Sequence, residues 1–145
     1  MDHVAIMTKS WGFMEKILTR EKTIESRWYA SRRSPWNTVH TGDTVYFKNS
    51  GEPIALRARV GKVIQFSGLV PAGVKKILKK HGQKDGIAQK DIPFFFNRFK
   101  DKKYCILIFL RDPARVAPFA VSKVGFGAMA AWISVPRISG IRCVR

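Results

Sequence analysis

Apolar positions along the chain switch between a period near two and a period near 3.6, and the switches mark out its elements. Residues 3–7 form a short apolar run that suits a first strand. Ser10 stands where a helix cap is expected, ahead of Trp11, Met14, Ile17 and Leu18 at helical spacing. Residues 23–29 alternate. Thr23, Glu25, Arg27 and Tyr29 share one face of a strand, while Ile24, Ser26 and Trp28 share the other, with Ile24 and Trp28 assigned to the core. A basic loop at 30–37 carries Arg32, Arg33 and Trp36. The turn T-G-D at 41–43 introduces a strand at 44–48, and N-S-G-E-P at 49–53 is turn chemistry. Residues 54–66 read as one long strand, with Gly61 at a bulge or bend.

The helical period returns at 70–81, where Val70, Val74, Ile77 and Leu78 face inward and Lys75, Lys76, Lys79 and Lys80 face outward. A second short helix at 91–99 packs Ile92, Phe95, Phe96 and Phe99, and Phe94 falls off that face. The uninterrupted apolar run at 104–110 is a central strand. Short strand and turn pieces follow at 117–121, 124–126 and 131–135, with Gly125 and Gly127 read as a turn. No repeat or linker divides the chain, so residues 1–145 are expected to form one domain. Strands outnumber helices and alternate with them irregularly. This predicts an α+β fold, a small and mainly antiparallel sheet curled toward a β-barrel with flanking helices.

Charge changes the picture more than composition does. Of the 145 residues 46% are hydrophobic, which excludes a disordered basic tail. Yet 27 Lys and Arg stand against 10 Asp and Glu, a net charge of +17 that destabilises a compact chain by self-repulsion. A polyanionic partner is the expected reason: RNA first, with DNA or a free nucleotide as alternatives. No apolar stretch approaches the roughly 20 residues of a membrane span, and the N-terminus lacks the pattern of a signal peptide, so no membrane partner is expected. Cys105 lies in a buried strand and Cys143 far from it, neither at metal-ligand spacing. They read as inert thiols of a reducing, cytoplasmic compartment. No metal site and no cofactor motif is found; there is no phosphate-binding loop, dinucleotide fingerprint or nucleophile elbow. His3, His40 and His81 are scattered without partners, so a histidine dyad is not expected.

The most informative cluster is R-E-K-T-I-E-S-R at 20–27, which gathers Lys22, Glu25 and Arg27. Two readings stay open. In one, Glu25 and Arg27 form a structural ion pair along one strand face. In the other, Lys22 and Arg27 engage a phosphate or base edge while Glu25 orients one of them. Arg32, Arg33, Lys75, Lys76, Lys79 and Lys80 are candidates for tracking phosphates, and Trp11 and Trp36 for stacking on bases.

The same cluster resembles the pattern G-x-K-x-x-E-x-R that ASCH domains, members of the PUA-like superfamily, carry after their first helix. It matches at Lys22, Glu25 and Arg27 and departs at Arg20, where the pattern has glycine. S-W-G at 10–12, G-D-T-V-Y-F-K-N-S-G at 42–51 and A-W-I at 131–133 extend the likeness in the expected order. The resemblance implies a small barrel with helices around it, acting as an RNA-binding module. Its cleft would be built around Lys22, Glu25 and Arg27, with Trp11, Lys48, Asn49, Ser50 and Trp132 as walls. It also implies an alternative, a small hydrolase of single-stranded RNA or of a modified nucleoside. As a ribonuclease, Lys22 would stabilise the developing phosphate charge and Glu25 would act as base. As a nucleoside amidohydrolase it would lack the threonine nucleophile, because Glu25 stands at that position. Glycine at position 20 would permit a left-handed turn that arginine resists by roughly 1 kcal/mol.

Overall fold

Pairing along two long strands gives the fold its frame. The structure, a computed structural model, describes residues 1–143. Its elements are β1 (Asp2–Met7), α1 (Phe13–Leu18), β2 (Ile24–Tyr29), β3 (Thr44–Asn49), β4 (Ile54–Phe66), α2 (Pro71–His81), α3 (Ile92–Phe99), β5 (Tyr104–Phe119) and β6 (Trp132–Val135). The strands form one mixed sheet in the order β2-β5-β4-β3-β1-β6, curled into a half barrel. Only β1 and β3 run parallel; the other pairs are antiparallel. The curl comes from β4 and β5, whose register shifts three times, once between Val60 and Lys62 at Gly61. Bulges of this kind bend a strand and raise its twist.

Burial follows the predicted periods. Along β4, Ile54, Leu56, Ala58 and Val60 are buried while Arg57 and Arg59 are exposed. Cys105, Ile106, Leu107 and Ile108 are all buried, so this part of β5 is covered on both faces and does not alternate. The main core fills the curl of the sheet and the face under the helices. A smaller core of Val4, Ile54, Ile133 and Val135 lies beneath Val116, Phe119 and Ile138.

Several elements differ from the pattern read along the sequence. Val70 caps α2 rather than joining its inward face and is 56% exposed, because Pro71 opens the helix. Helix α1 starts only at Phe13, after Gly12 in the left-handed conformation, so Ser10 and Trp11 belong to a preceding 3-10 turn. The strand expected at 104–110 runs on through R-D-P-A-R to Phe119, with Ile54 paired to Phe119, and takes in the start of the separate piece expected at 117–121. Residues 124–126 form turns and not a strand. Among the described residues no helix is long and apolar enough to cross a membrane.

Candidate functional site

The edges of the half barrel, β2 and β6, are not hydrogen-bonded to each other, and the seam between them leaves a cleft of about 210 Å³. β6 pairs with β1 only from Asp2 to Ala5, so Ile6, Met7 and Thr8 at the end of β1 face the opening. Trp11, Phe13, Phe95 and Phe99 make an aromatic wall. Trp11 meets Phe95 edge-on at 5.1 Å, and Trp28 stacks on Phe99 at 4.8 Å. Glu25, Ser26, Arg27 and Asp85 supply the polar lining, with Tyr29 and Arg98 also part of it.

Lys22 lies under this lining. Its approach depends on Arg20, which adopts the left-handed conformation (φ 65) expected of glycine, so the turn is kept and the Lys22 amide donates to the Lys16 carbonyl at 2.9 Å. The Lys22 side chain is wholly buried. Its Nζ donates to the Ile24 carbonyl at 2.7 Å and to the carbonyl and Oδ1 of Asp85 at 2.6 Å each. It also lies 3.1 Å from Glu25 Oε1 and 4.4 Å from the centre of the Phe13 ring. Gly86 (φ +80) makes this packing possible, since a Cβ there would stand 3.1 Å from the Lys22 Cβ and Cδ. An ammonium has three donors, and those of Lys22 are all engaged.

Arg27 is almost as fully engaged. Its Nε and Nη2 donate to Glu25 Oε2 at 3.0 and 2.7 Å, Nη1 to the Ala131 carbonyl at 3.1 Å, and Nη2 to the Ile6 carbonyl at 3.3 Å. Trp132 lies behind it, its ring 5.3 Å from the guanidinium carbon. The Trp132 indole donates to Ser134 Oγ at 3.2 Å and His3 Nδ1 at 3.3 Å, and His3 Nε2 meets Asp43 Oδ2 at 2.8 Å. His3 is therefore not partnerless, as its place in the sequence suggested, but the centre of a buried network.

Two cations and two carboxylates make the cluster neutral overall. Burial alone would raise the Glu25 carboxyl, but Lys22 and Arg27 outweigh it and hold the group below its ordinary value. Asp85 goes the other way. Burial, aided by the charge of Glu25, raises it despite Lys22 and the hydroxyl of Ser26, because it has one cation where Glu25 has two. The Ser26 oxygen also accepts from Trp28 Nε1 at 3.0 Å. Apart from Arg98, the polar lining is thus rich in acceptors and poor in free donors.

The structure brings together only part of the predicted set. Trp11, Glu25 and Arg27 line the cleft, Lys22 sits beneath it, and Trp132 backs Arg27. Lys48, Asn49 and Ser50 stand apart, because β1 lies between β3 and the seam. Asn49 donates to Glu52 at 3.1 Å, Lys48 borders a different hollow with Phe119, and Ser50 is an exposed turn residue. Arg33 lies 5.8 Å over Tyr29 beside the cleft, while Arg32 lies 5.7 Å over both Trp36 and Tyr104. Lys75, Lys76, Lys79 and Lys80 are exposed along α2, and none lines the cleft. Sequence reasoning missed Asp85, hidden in a lysine-rich stretch although D-G marked a turn. It also passed over Arg98, three residues after Phe95, and Ser26, a small polar residue on an apolar face. Among the described residues no group of His, Cys, Asp and Glu is arranged to hold a metal ion.

No family model matches the sequence, and no curated protein does. Solved structures match closely in shape. The chain is similar to ASCH from Zymomonas mobilis, with a TM-score of 0.67 and 14% identity, over 94% of this chain and 88% of that one. It is also similar to the N-terminal domain of Staphylothermus marinus McrB, with a TM-score of 0.61 and 12% identity, over 92% and 87%. The protein has the α+β fold of ASCH domains.

Proposed function

We propose that the protein is a nucleic-acid-binding module of ASCH type that receives a base of single-stranded RNA in the cleft and leaves the phosphates outside. One observation carries this reading: Lys22 and Arg27, the cations beside Glu25, are already paired, while the walls are aromatic and the guanidiniums of Arg98 and Arg33 stand at the margin of the cleft. A phosphate entering a neutral cluster in which Lys22 and Arg27 are already bonded would find carboxylates and few donors. A base would find Trp11 and Phe95 to stack on, and Glu25, Asp85 and Ser26 as acceptors for the N–H groups of its edge. Arg98 lies 5.1 Å over Trp11 and Arg33 lies over Tyr29, so a guanidinium stands near each side to meet flanking phosphates. Arg32 and the lysines of α2 extend the positive surface.

The geometry favours binding over chemistry. Lys22 is sealed from the cleft and Glu25 is held ionised by two cations, which makes it a weak base. The test is anisotropy of labelled single-stranded RNA over a range of salt, with the RNA recovered afterwards on a gel. The reading expects affinity that falls steeply with salt, loss of binding in Trp11→Ala, and intact RNA. Salt-insensitive binding, or cleavage abolished by Lys22→Ala, would sink it.

A further inference from the structure

A second cluster of cations, sharing no residue with the cleft, lies on the outer face of β3, β4 and β5. Arg57 and Arg59 alternate outward from β4, and the register sets Arg59 directly opposite Arg111 of β5. On the other side, Thr44 and Tyr46 of β3 face Arg59 and Arg57. Like charges directly opposite one another in a sheet are destabilising. Here no ion pair relieves them: among the described residues no carboxylate lies within ion-pair distance of Arg57, Arg59 or Arg111.

The cluster is also shaped. Thr44, Arg57, Arg59, Asp112 and Ala114 enclose a hollow of about 160 Å³. Arg59 Nη1 donates to the Gly42 carbonyl at 3.2 Å, which fixes its guanidinium at the edge of the strand. The stem of Arg111 runs over Gly61, its Cδ 3.6 Å from where a Cβ would stand. Asp112 is the one acid lining the hollow, leaving the face with three guanidiniums against one carboxylate.

We propose that this face is a second nucleic-acid contact, binding the phosphodiester backbone of a polynucleotide through Arg57, Arg59 and Arg111. Guanidinium forks match phosphate oxygens two at a time, and the Thr44 hydroxyl stands on the same face to donate a further bond. The exposed bulky apolar residues of the chain, such as Phe94, Val124 and Met129, belong to none of these three strands, so the face has no anchor for a lipid surface. No residue is shared with the cleft, and this inference does not depend on a base entering it. A strand of RNA or DNA long enough to cross the molecule would touch both.

The test compares the full chain with Arg57→Ala/Arg59→Ala, using a long single-stranded RNA, its DNA counterpart and a mononucleoside. Anisotropy at several salt concentrations should show the double variant binding the long strands about tenfold more weakly. Its log–log salt slope should be shallower by about 1.4, the change expected when a single strand gives up two neutralised phosphates. Arg57→Lys/Arg59→Lys, which keeps the charge and loses the fork, should fall between, and Asp112→Asn should bind more tightly. Trp11→Ala should lose the mononucleoside while the double variant keeps it, so failure of the cleft and failure of this face give different results. Unchanged affinity and slope in the double variant overturn the proposal. So does a loss of binding confined to phosphatidylserine vesicles, or to inorganic phosphate, with polynucleotide binding intact.

Discussion

Arg27 spans the seam of the half barrel, donating from one edge strand to the Ala131 carbonyl, 3.1 Å away, just ahead of the other edge strand. Strand pairing stops on either side of this opening, and the guanidinium fork takes its place with a few directed bonds. Glu25 holds the fork by two of its nitrogens, so the distance across the cleft is set by a side chain and its counter-ion. The ion pair read along the strand face is present, and the two residues that form it also line the cleft.

Replacing Glu25 by glutamine tests that pair. Among the described residues it would leave Lys22 with Asp85 as its one ion-pair partner and Arg27 with none, and breaking a buried pair of this kind costs about 3–5 kcal/mol. Urea unfolding at neutral pH is the measurement. A loss below about 1 kcal/mol would place the cluster among weakly coupled surface ions. The sign in acid is fixed as well. Because Glu25 is held below its ordinary 4.5 when folded, its stabilisation is complete above that value and disappears as pH falls through the folded value. The glutamine variant should lack that part of the acid limb.

His3 gives a second pH signature. Burial, stronger than the opposing pull of Asp43, holds its imidazole below the ordinary 6.5. Below 6.5 the unfolded chain takes up a proton that the folded chain still refuses, so stability rises with pH across that window and is lost as pH falls through it. His81 is also held low, by burial and by Lys80, Lys84 and Lys62, so the comparison is made between two proteins. Urea midpoints from about pH 7.5 to about pH 5 should fall more steeply for the native chain than for His3→Gln. Parallel curves would mean that His3 titrates normally.

How much of this was legible follows from what each feature depends on. The limits of β4 and the four outward lysines of α2 come from local alternation, which sequence carries directly. The shared face of Glu25 and Arg27 was legible for the same reason. Burial of Lys22 was not, because it requires Asp85, 63 positions away, and its neighbour Gly86 to pack against the lysine. Nor was the absence of Lys48, Asn49 and Ser50 from the cleft. Their motif is local, but strand order, which puts β1 between them and the seam, is a property of the whole sheet. The second half of β5 was hidden by Asp112 and Pro113, which follow the end of the apolar run and are accommodated by register shifts opposite β4.

Arg20 offers a test on the backbone. It holds φ at 65, a conformation costing a residue with a Cβ about 1–2 kcal/mol, and its side chain is exposed. Glycine would remove that strain but would also gain freedom in the unfolded chain, worth about 0.4–1 kcal/mol against it. Arg20→Gly should therefore raise stability by up to about 1 kcal/mol, read as a shift of the urea midpoint at unchanged slope. A lower midpoint would show that the arginine makes a contribution outweighing its strain.

Two tryptophans should separate binding from stability. Trp11 stands at the cleft, half-buried, against Phe13, Phe95 and Arg98. If it is the stacking wall, Trp11→Ala should weaken single-stranded RNA binding by about 1–3 kcal/mol, the range for one base–aromatic stack. Trp132 is buried behind Arg27 and donates its indole N–H toward Ser134 and His3. Trp132→Phe keeps a ring beneath the guanidinium but removes the donor from a buried network, a loss of about 1–3 kcal/mol in unfolding free energy. Its RNA affinity should change little as long as Arg27 holds the seam. An exchange of these outcomes, with Trp132 controlling affinity and Trp11 only stability, would move the ligand from the aromatic wall of Trp11 and Phe95 to the β6 side of Arg27.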